Sequence, residues 1–215
     1  LSKFGSLFSK ITTTVLSSII FSSKTSCRDF YVYHHRFMNN NFSKSELDGL
    51  NLINKDMKEL VIQTKVTTCQ QDELPTVLCE LVETAKRKTQ DAYCPYSHYH
   101  VGAAVLLADG QVLTGANQEN AAYPSGLCAE RTTLFAANAN NPHTPVQALA
   151  IACYTDGHFT ADPASPCGAC RQVMLETEHR FGQPMQVILY GERECYLFDS
   201  AKDLLPVCFT NDNLN

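Results

Sequence analysis

Cys128-Ala129-Glu130-Arg131 and Ser165-Pro166-Cys167-Gly168-Ala169-Cys170 bring thiols, a carboxylate and a guanidinium together in two short motifs. Zinc takes four ligands in a tetrahedron, commonly from Cys and His, and a catalytic zinc keeps one position for water. Cys167 and Cys170, two residues apart across a turn, can chelate one ion without strain, and Cys128 would supply a third thiolate. Three negative ligands make a divalent ion a poor Lewis acid, so a positive group near the sulfurs should draw density from them. Arg131, one helical turn after Cys128, is expected to do so. For Arg171, directly after Cys170, that role and an exposed helix surface both stand open. Glu130, two residues after the first ligand, could take a proton from water at the metal and deliver it to a leaving group.

Such a site needs elements that bring both motifs to one place. Leu78, Leu81, Val82 and Ala85 recur at helical spacing on a stretch that ends in Lys86-Arg87-Lys88, a basic end suited to the negative pole of a helix dipole. Apolar runs at 101–107 and 111–116 flank Ala108-Asp109-Gly110, a hairpin signal. The spacing predicts a helix over 127–138, entered through Pro124-Ser125-Gly126, then a buried strand over 146–154. A second helix over 170–181 follows Pro166, then strands over 185–190 and 194–198, and a short helix over 200–205 stopped by Pro206. Alternating strands and helices imply a layered α/β domain. The strand between the motifs would carry both helix starts to one sheet edge, where their dipoles stabilise thiolates.

Before this region the composition differs. Residues 1–26 hold twelve Ser or Thr and no acid, and residues 1–36 hold five basic residues against one acidic. The remainder holds twelve basic against twenty-one acidic. An acid-poor, hydroxyl-rich stretch reads as a transit peptide or as a disordered leader. Met38 and Met57 are both plausible starts, and Asn39-Asn40-Asn41 and the polar residues to about 71 read as linker. The boundaries expected are 1–71 for leader and linker, 72–210 for the α/β domain and 211–215 for a tail. A net charge of −5 over 215 residues argues against a protein that coats nucleic-acid phosphates. No run of about 18 apolar residues is present to span a membrane. Ten cysteines without pairing rhythm point to a reducing compartment with a metal or redox site, not to a disulfide framework. Cys79 and Cys153, within apolar segments, read as core thiols.

Zinc deaminases carry His or Cys, then x-Glu, and later Pro-Cys-x-x-Cys. Cys128-Ala129-Glu130 and Pro166-Cys167-Gly168-Ala169-Cys170 match the all-cysteine form. With Cys94-Pro95-Tyr96-Ser97 and Asn117-Gln118-Glu119-Asn120-Ala121, these motifs make residues 74–209 resemble the small homotetrameric cytidine deaminases of pyrimidine salvage. The resemblance implies a three-layer α/β/α sandwich around a five-stranded mixed sheet. It implies one zinc per subunit on Cys128, Cys167 and Cys170, with Glu130 as proton shuttle. The reaction implied is hydrolytic deamination of cytidine and 2′-deoxycytidine, in which zinc-activated hydroxide attacks C4 and ammonia leaves. Asn117 and Glu119 would bind the ribose 3′-hydroxyl, and the Ala129 N–H would face the pyrimidine edge. Tyr99, where the family usually has Phe, would stack on the base, while His100 stands where Pro is common. Tyr123 and Phe209 would line neighbouring subunits' sites in a homotetramer. A cytoplasmic enzyme is expected, with a mitochondrial leader as the alternative, acting on a small nucleoside without nucleic-acid or membrane partners.

Other readings make different demands. A relative acting on a cytosine-bearing antibiotic shares the zinc motifs but lacks the Asn-x-Glu pair. A polynucleotide-editing enzyme would want aromatic and basic stripes that this acidic chain lacks. A purely structural zinc would want a fourth protein ligand, for which His98 and Cys94 are the nearest candidates.

Overall fold

The computed structural model describes residues 58–214; the leader features, Met38, Met57 and the triple Asn lie outside the described residues. Within them the chain runs through strand β1 (Thr67–Cys69), helix α1 (Thr76–Lys88), strands β2 (His100–Leu107) and β3 (Val112–Ala116), and helix α2 (Ala129–Asn140). Strands β4 (Val146–Thr155) and β5 (His158–Phe159), helix α3 (Gly168–Phe181), and strands β6 (Gln186–Tyr190) and β7 (Cys195–Phe198) complete it. The sheet order is β1-β7-β6-β4-β2-β3, with β5 paired to β4. All pairings are antiparallel except β4 with β6, where Ala148 stands opposite Gln186 and Ile151 opposite Leu189.

The body of this sheet is the expected mixed five strands. Two short additions go beyond it. The two-residue β5 folds back on β4, and β1 adds an edge to β7 with Cys69 opposite Cys195. Order therefore starts earlier than the expected boundary at residue 72.

The near-continuous apolar runs of β2, β4 and β6 have a simple cause: both faces of the sheet are covered. Side chains alternate across a strand, so Leu149, Ile151 and Cys153 of β4 join one core, whereas Ala148, Ala150 and Ala152 join the other. The first core packs under α2 and α3 through Leu134, Ala137, Cys170 and Met174. The second packs under α1 through Leu78, Leu81, Val82 and Ala85, the i, i+3, i+4, i+7 stripe of an amphipathic helix. Small residues on that face let α1 lie close. A Cβ at Gly102 would stand 2.1 Å from the Ala85 carbonyl oxygen. Helix, sheet and helix form three layers.

Both motif helices start slightly away from the expected residues. Cys128 is the N-cap of α2 and Cys167 the N-cap of α3, each in extended conformation. The sequence window at 200–205 forms a 3-10 turn over Ala201–Leu204 in place of an α-helix, capped by the Ser200 hydroxyl, which accepts from the Lys202 N–H. Among the described residues no helix is long and apolar enough to cross a membrane.

Candidate metal centre and active site

The N-caps of α2 and α3 meet at one place. The Cys128 and Cys167 sulfurs are 3.8 Å apart and the Cys167 and Cys170 sulfurs 3.3 Å. All three lie within 4.8 Å of one another. Tetrahedral zinc at about 2.3 Å from each sulfur requires sulfurs ~3.8 Å apart, so the donor set fits that ion in chemistry and spacing. Among the described residues no fourth His, Cys, Asp or Glu joins them. Neither His98 nor Cys94 is in the group. All nine cysteines of the described residues are free.

The two arginines separate. The Arg131 guanidinium points an Nη at the Cys128 sulfur, 3.6 Å away. Arg171 instead donates to the carbonyls of Pro166 and Leu204, both at 2.8 Å, and so braces the ligand loop against the C-terminal segment. Hydrogen bonding from the Cys170 thiol, followed by that from Arg131, holds the Cys128 thiol well below its ordinary range. That bias toward thiolate is what a metal ligand requires.

Glu130 lies in the first turn of α2, only 4% exposed, and its Oε2 has no hydrogen-bond partner. Burial pushes its carboxyl above the ordinary range. A dry carboxyl whose proton affinity is raised by burial can both accept and return a proton. An unpartnered buried carboxyl oxygen is costly unless a ligand completes it.

In front of these groups opens a cavity of about 710 Å³, within the range of small-molecule sites. Tyr99, Asn117, Glu119, Tyr123, Cys128, Glu130, Arg131 and Cys167 all line it. The Asn-x-Glu spacing has a structural reason. Gln118 makes β-bridges to Tyr93 on one side and Leu127 on the other, so residues 117–119 are extended and alternate residues share a face. Glu119 Oε2 accepts the N–H groups of Tyr96 at 2.9 Å and Ser97 at 3.3 Å. The Ser97 hydroxyl, then these amides, hold the Glu119 carboxyl below its ordinary range, so it is anionic.

Two expected residues do not line this cavity. Ala129 is fully buried at the start of α2, where its carbonyl accepts the Thr133 hydroxyl at 2.7 Å. Phe209 is exposed, and its carbonyl accepts the Gln172 amide. Tyr123 rims the cavity of its own chain, edge-on to Tyr96 with ring centroids 6.2 Å apart.

Sequence reading missed Cys153, which is buried as expected of a core thiol but also forms part of the cavity wall with Ile151. Both lie on the α2–α3 face of β4, at alternate positions, and that alternation was the available signal. Cys153 also stands beside the Tyr99 hydroxyl, which burial, and then this neighbour, keep protonated. Burial pushes the Cys153 thiol up to about 11, so it is a neutral partner, not a ligand.

A family profile described as the cytidine and deoxycytidylate deaminase zinc-binding region matches residues 75–181. Over 135 residues the chain is 41% identical to the cytidine deaminase of Halalkalibacterium halodurans, a match covering 63% of this chain and 96% of that one. It is 44% identical over 136 residues to the cytidine deaminase of Sporosarcina psychrophila, covering 63% and 93%. The crystal structure of the cytidine deaminase from Burkholderia pseudomallei superposes with a TM-score of 0.51 at 42% identity, covering 60% of this chain and 97% of that one.

Proposed function

This chain belongs to the cytidine deaminase family, and we propose on that footing that it hydrolyses cytidine and 2′-deoxycytidine to uridine and 2′-deoxyuridine, releasing ammonia. One observation carries the reading: three converging sulfurs stand beside a buried carboxyl with one unpartnered oxygen, at the wall of a cavity that can take a small molecule.

Cys128, Cys167 and Cys170 would hold zinc. When bound, zinc supplies Lewis-acid chemistry that lets water attack at neutral pH. Glu130 takes the proton that the attacking water gives up and hands it to the departing amino nitrogen. The C4–O bond forms first, making C4 tetrahedral with a proton on N3; the C4–N bond to the amino group then breaks, and cytidine plus water gives uridine plus ammonia. Burial supports Glu130 in this role, since a solvated carboxylate would be too weak a base and too poor a proton carrier. Arg131 draws charge from the Cys128 sulfur and so supports the ion's acidity.

Tyr99 stacks on the base, and Asn117 and Glu119 take the ribose 3′-hydroxyl. An anionic Glu119 at that end favours a bare hydroxyl and repels a phosphate. Nucleosides are therefore preferred over nucleotides and polynucleotides. The enzyme acts as a cytoplasmic homotetramer in which Tyr123 and Phe209 reach neighbouring sites; exposure of 77% and 57% for these rings supports that role.

An ammonia-release assay on cytidine, run with and without a zinc chelator, tests the reading. Turnover that the chelator abolishes and zinc restores is the expected result. Failure to release ammonia from cytidine by the zinc-loaded protein refutes it.

A further inference from the structure

The loop over residues 93–99, which leads into β2, carries Tyr96, Ser97 and Tyr99 into the cavity wall. It is irregular, and it turns through His98 in a left-handed conformation, φ 55°, which a residue with a Cβ adopts only when its surroundings hold it there. His98 itself is held by its N–H to the Cys94 carbonyl at 3.0 Å and by the Thr155 hydroxyl on its carbonyl at 3.5 Å, and two residues frame the rest of the loop. The Asn117 side chain uses both its ends on the loop: Oδ1 accepts the Val101 N–H at 2.8 Å and Nδ2 donates to the Tyr99 carbonyl at 2.9 Å. Its main chain does the same, donating to the Val101 carbonyl and accepting from the Tyr93 N–H. Glu119 donates its N–H to the Tyr93 carbonyl, while its Oε2 gathers the Tyr96 and Ser97 amides. The Ser97 hydroxyl in turn accepts the Tyr99 N–H at 3.1 Å. An unbroken chain of hydrogen bonds thus runs from the Glu119 carboxylate to the backbone of Tyr99.

We infer that Asn117 and Glu119 are positioning residues for the base-stacking ring of Tyr99 as well as contacts for the sugar, so that the two ends of the substrate site are mechanically coupled. The inference rests on the proposed function for the identity of the two ends. Its physical content is independent of substrate: an acceptor carrying charge orders two amides, and those amides and their hydroxyl neighbour fix the ring. A residue that served only to bind the sugar would leave recognition of a sugar-free base untouched. A residue that also frames the loop would not. The amide nitrogen of Asn117 keeps one N–H and the Glu119 carboxylate keeps lone pairs beyond those used on the loop, so both roles fit one side chain.

The test compares the zinc-loaded parent with Glu119→Ala, Glu119→Gln and Asn117→Ala, using two readouts. Hydrogen exchange in the ligand-free proteins reports the Tyr96, Ser97 and Val101 amides, with the β4 amides as the measure of intact folding. Binding of free cytosine, which has no sugar, reports the base end. Glu119→Ala should accelerate exchange at Tyr96 and Ser97, and Asn117→Ala at Val101, with β4 unchanged. Each should weaken cytosine about tenfold, the loss of one charge-assisted or buried hydrogen bond's worth of order. Glu119→Gln keeps an acceptor oxygen and should retain most of the amide protection and cytosine binding. Should Glu119→Ala lose its fold, Glu119→Gln and Asn117→Ala still decide the matter. Unchanged amide exchange and cytosine affinity in the variants, with only cytidine affinity reduced, would overturn the inference. Inability of the parent to deaminate cytidine would instead remove the proposed function, and leaves the exchange result to stand or fall by itself.

Discussion

Removing the Arg131 guanidinium would leave three sulfur anions with no positive neighbour at hydrogen-bond range of Cys128. Arg131→Ala should therefore weaken zinc by about 10- to 100-fold in competition with a chromophoric chelator, and unchanged affinity would contradict the role given to it. Glu119 makes a second prediction at this scale. Its folded pKa is lowered from an ordinary 4.5, so the order it imposes on the loop is fully present above that value. It is lost as pH falls through the lower folded value. In an NMR titration the Tyr96 and Ser97 amide resonances should move with a midpoint below 4.5; a midpoint at or above 4.5 would contradict the hydrogen bonding described. The grouping of Cys128, Cys167 and Cys170 beside Glu130 was legible from the sequence because metal chelation and proton transfer dictate residue type and spacing. Cys153 was read as a plain core thiol because a thiol in an apolar strand gives no sign of which neighbour it faces.

At the scale of elements, Glu178 near the end of α3 is a stabilising hub. Its carboxylate accepts the Met185 N–H at 2.7 Å, the Ser200 hydroxyl at 2.9 and 3.0 Å, and the Ala201 and Lys202 amides at 2.8 and 3.3 Å. It thereby ties α3 to the start of β6 and to the turn after β7. Glu178→Ala should cost about 2–4 kcal/mol in denaturant unfolding without displacing the zinc ligands; a loss below about 0.5 kcal/mol would contradict the hub. None of this was readable from the sequence, because three of the four donors lie 22 to 24 residues further along the chain. The long elements were readable, since α1 shows its apolar stripe and β4 its unbroken hydrophobic run. The motif helices were displaced by two residues at their starts because cysteines serve as their N-caps. Strand β1 was missed for another reason. Thr67-Thr68-Cys69 is too short to show a period, and β7 supplies its pairing from the far end of the domain.

For the whole molecule, the sheet explains why one site forms at all. Strand β4 lies at its centre with both faces buried, and α2 and α3 pack together on one face with their N-termini converging. The layered α/β class followed from the alternation of elements and its three-layer form from the family resemblance, whereas the cavity's far wall came from the irregular 93–99 loop, whose path no periodicity records. The most direct test of the account is the cytidine turnover of Glu130→Gln protein carrying one zinc per chain. The expected result is full retention of metal with turnover reduced by about 10²- to 10⁴-fold, the scale of a lost proton carrier. Turnover close to that of the parent, at the same zinc content, would contradict it.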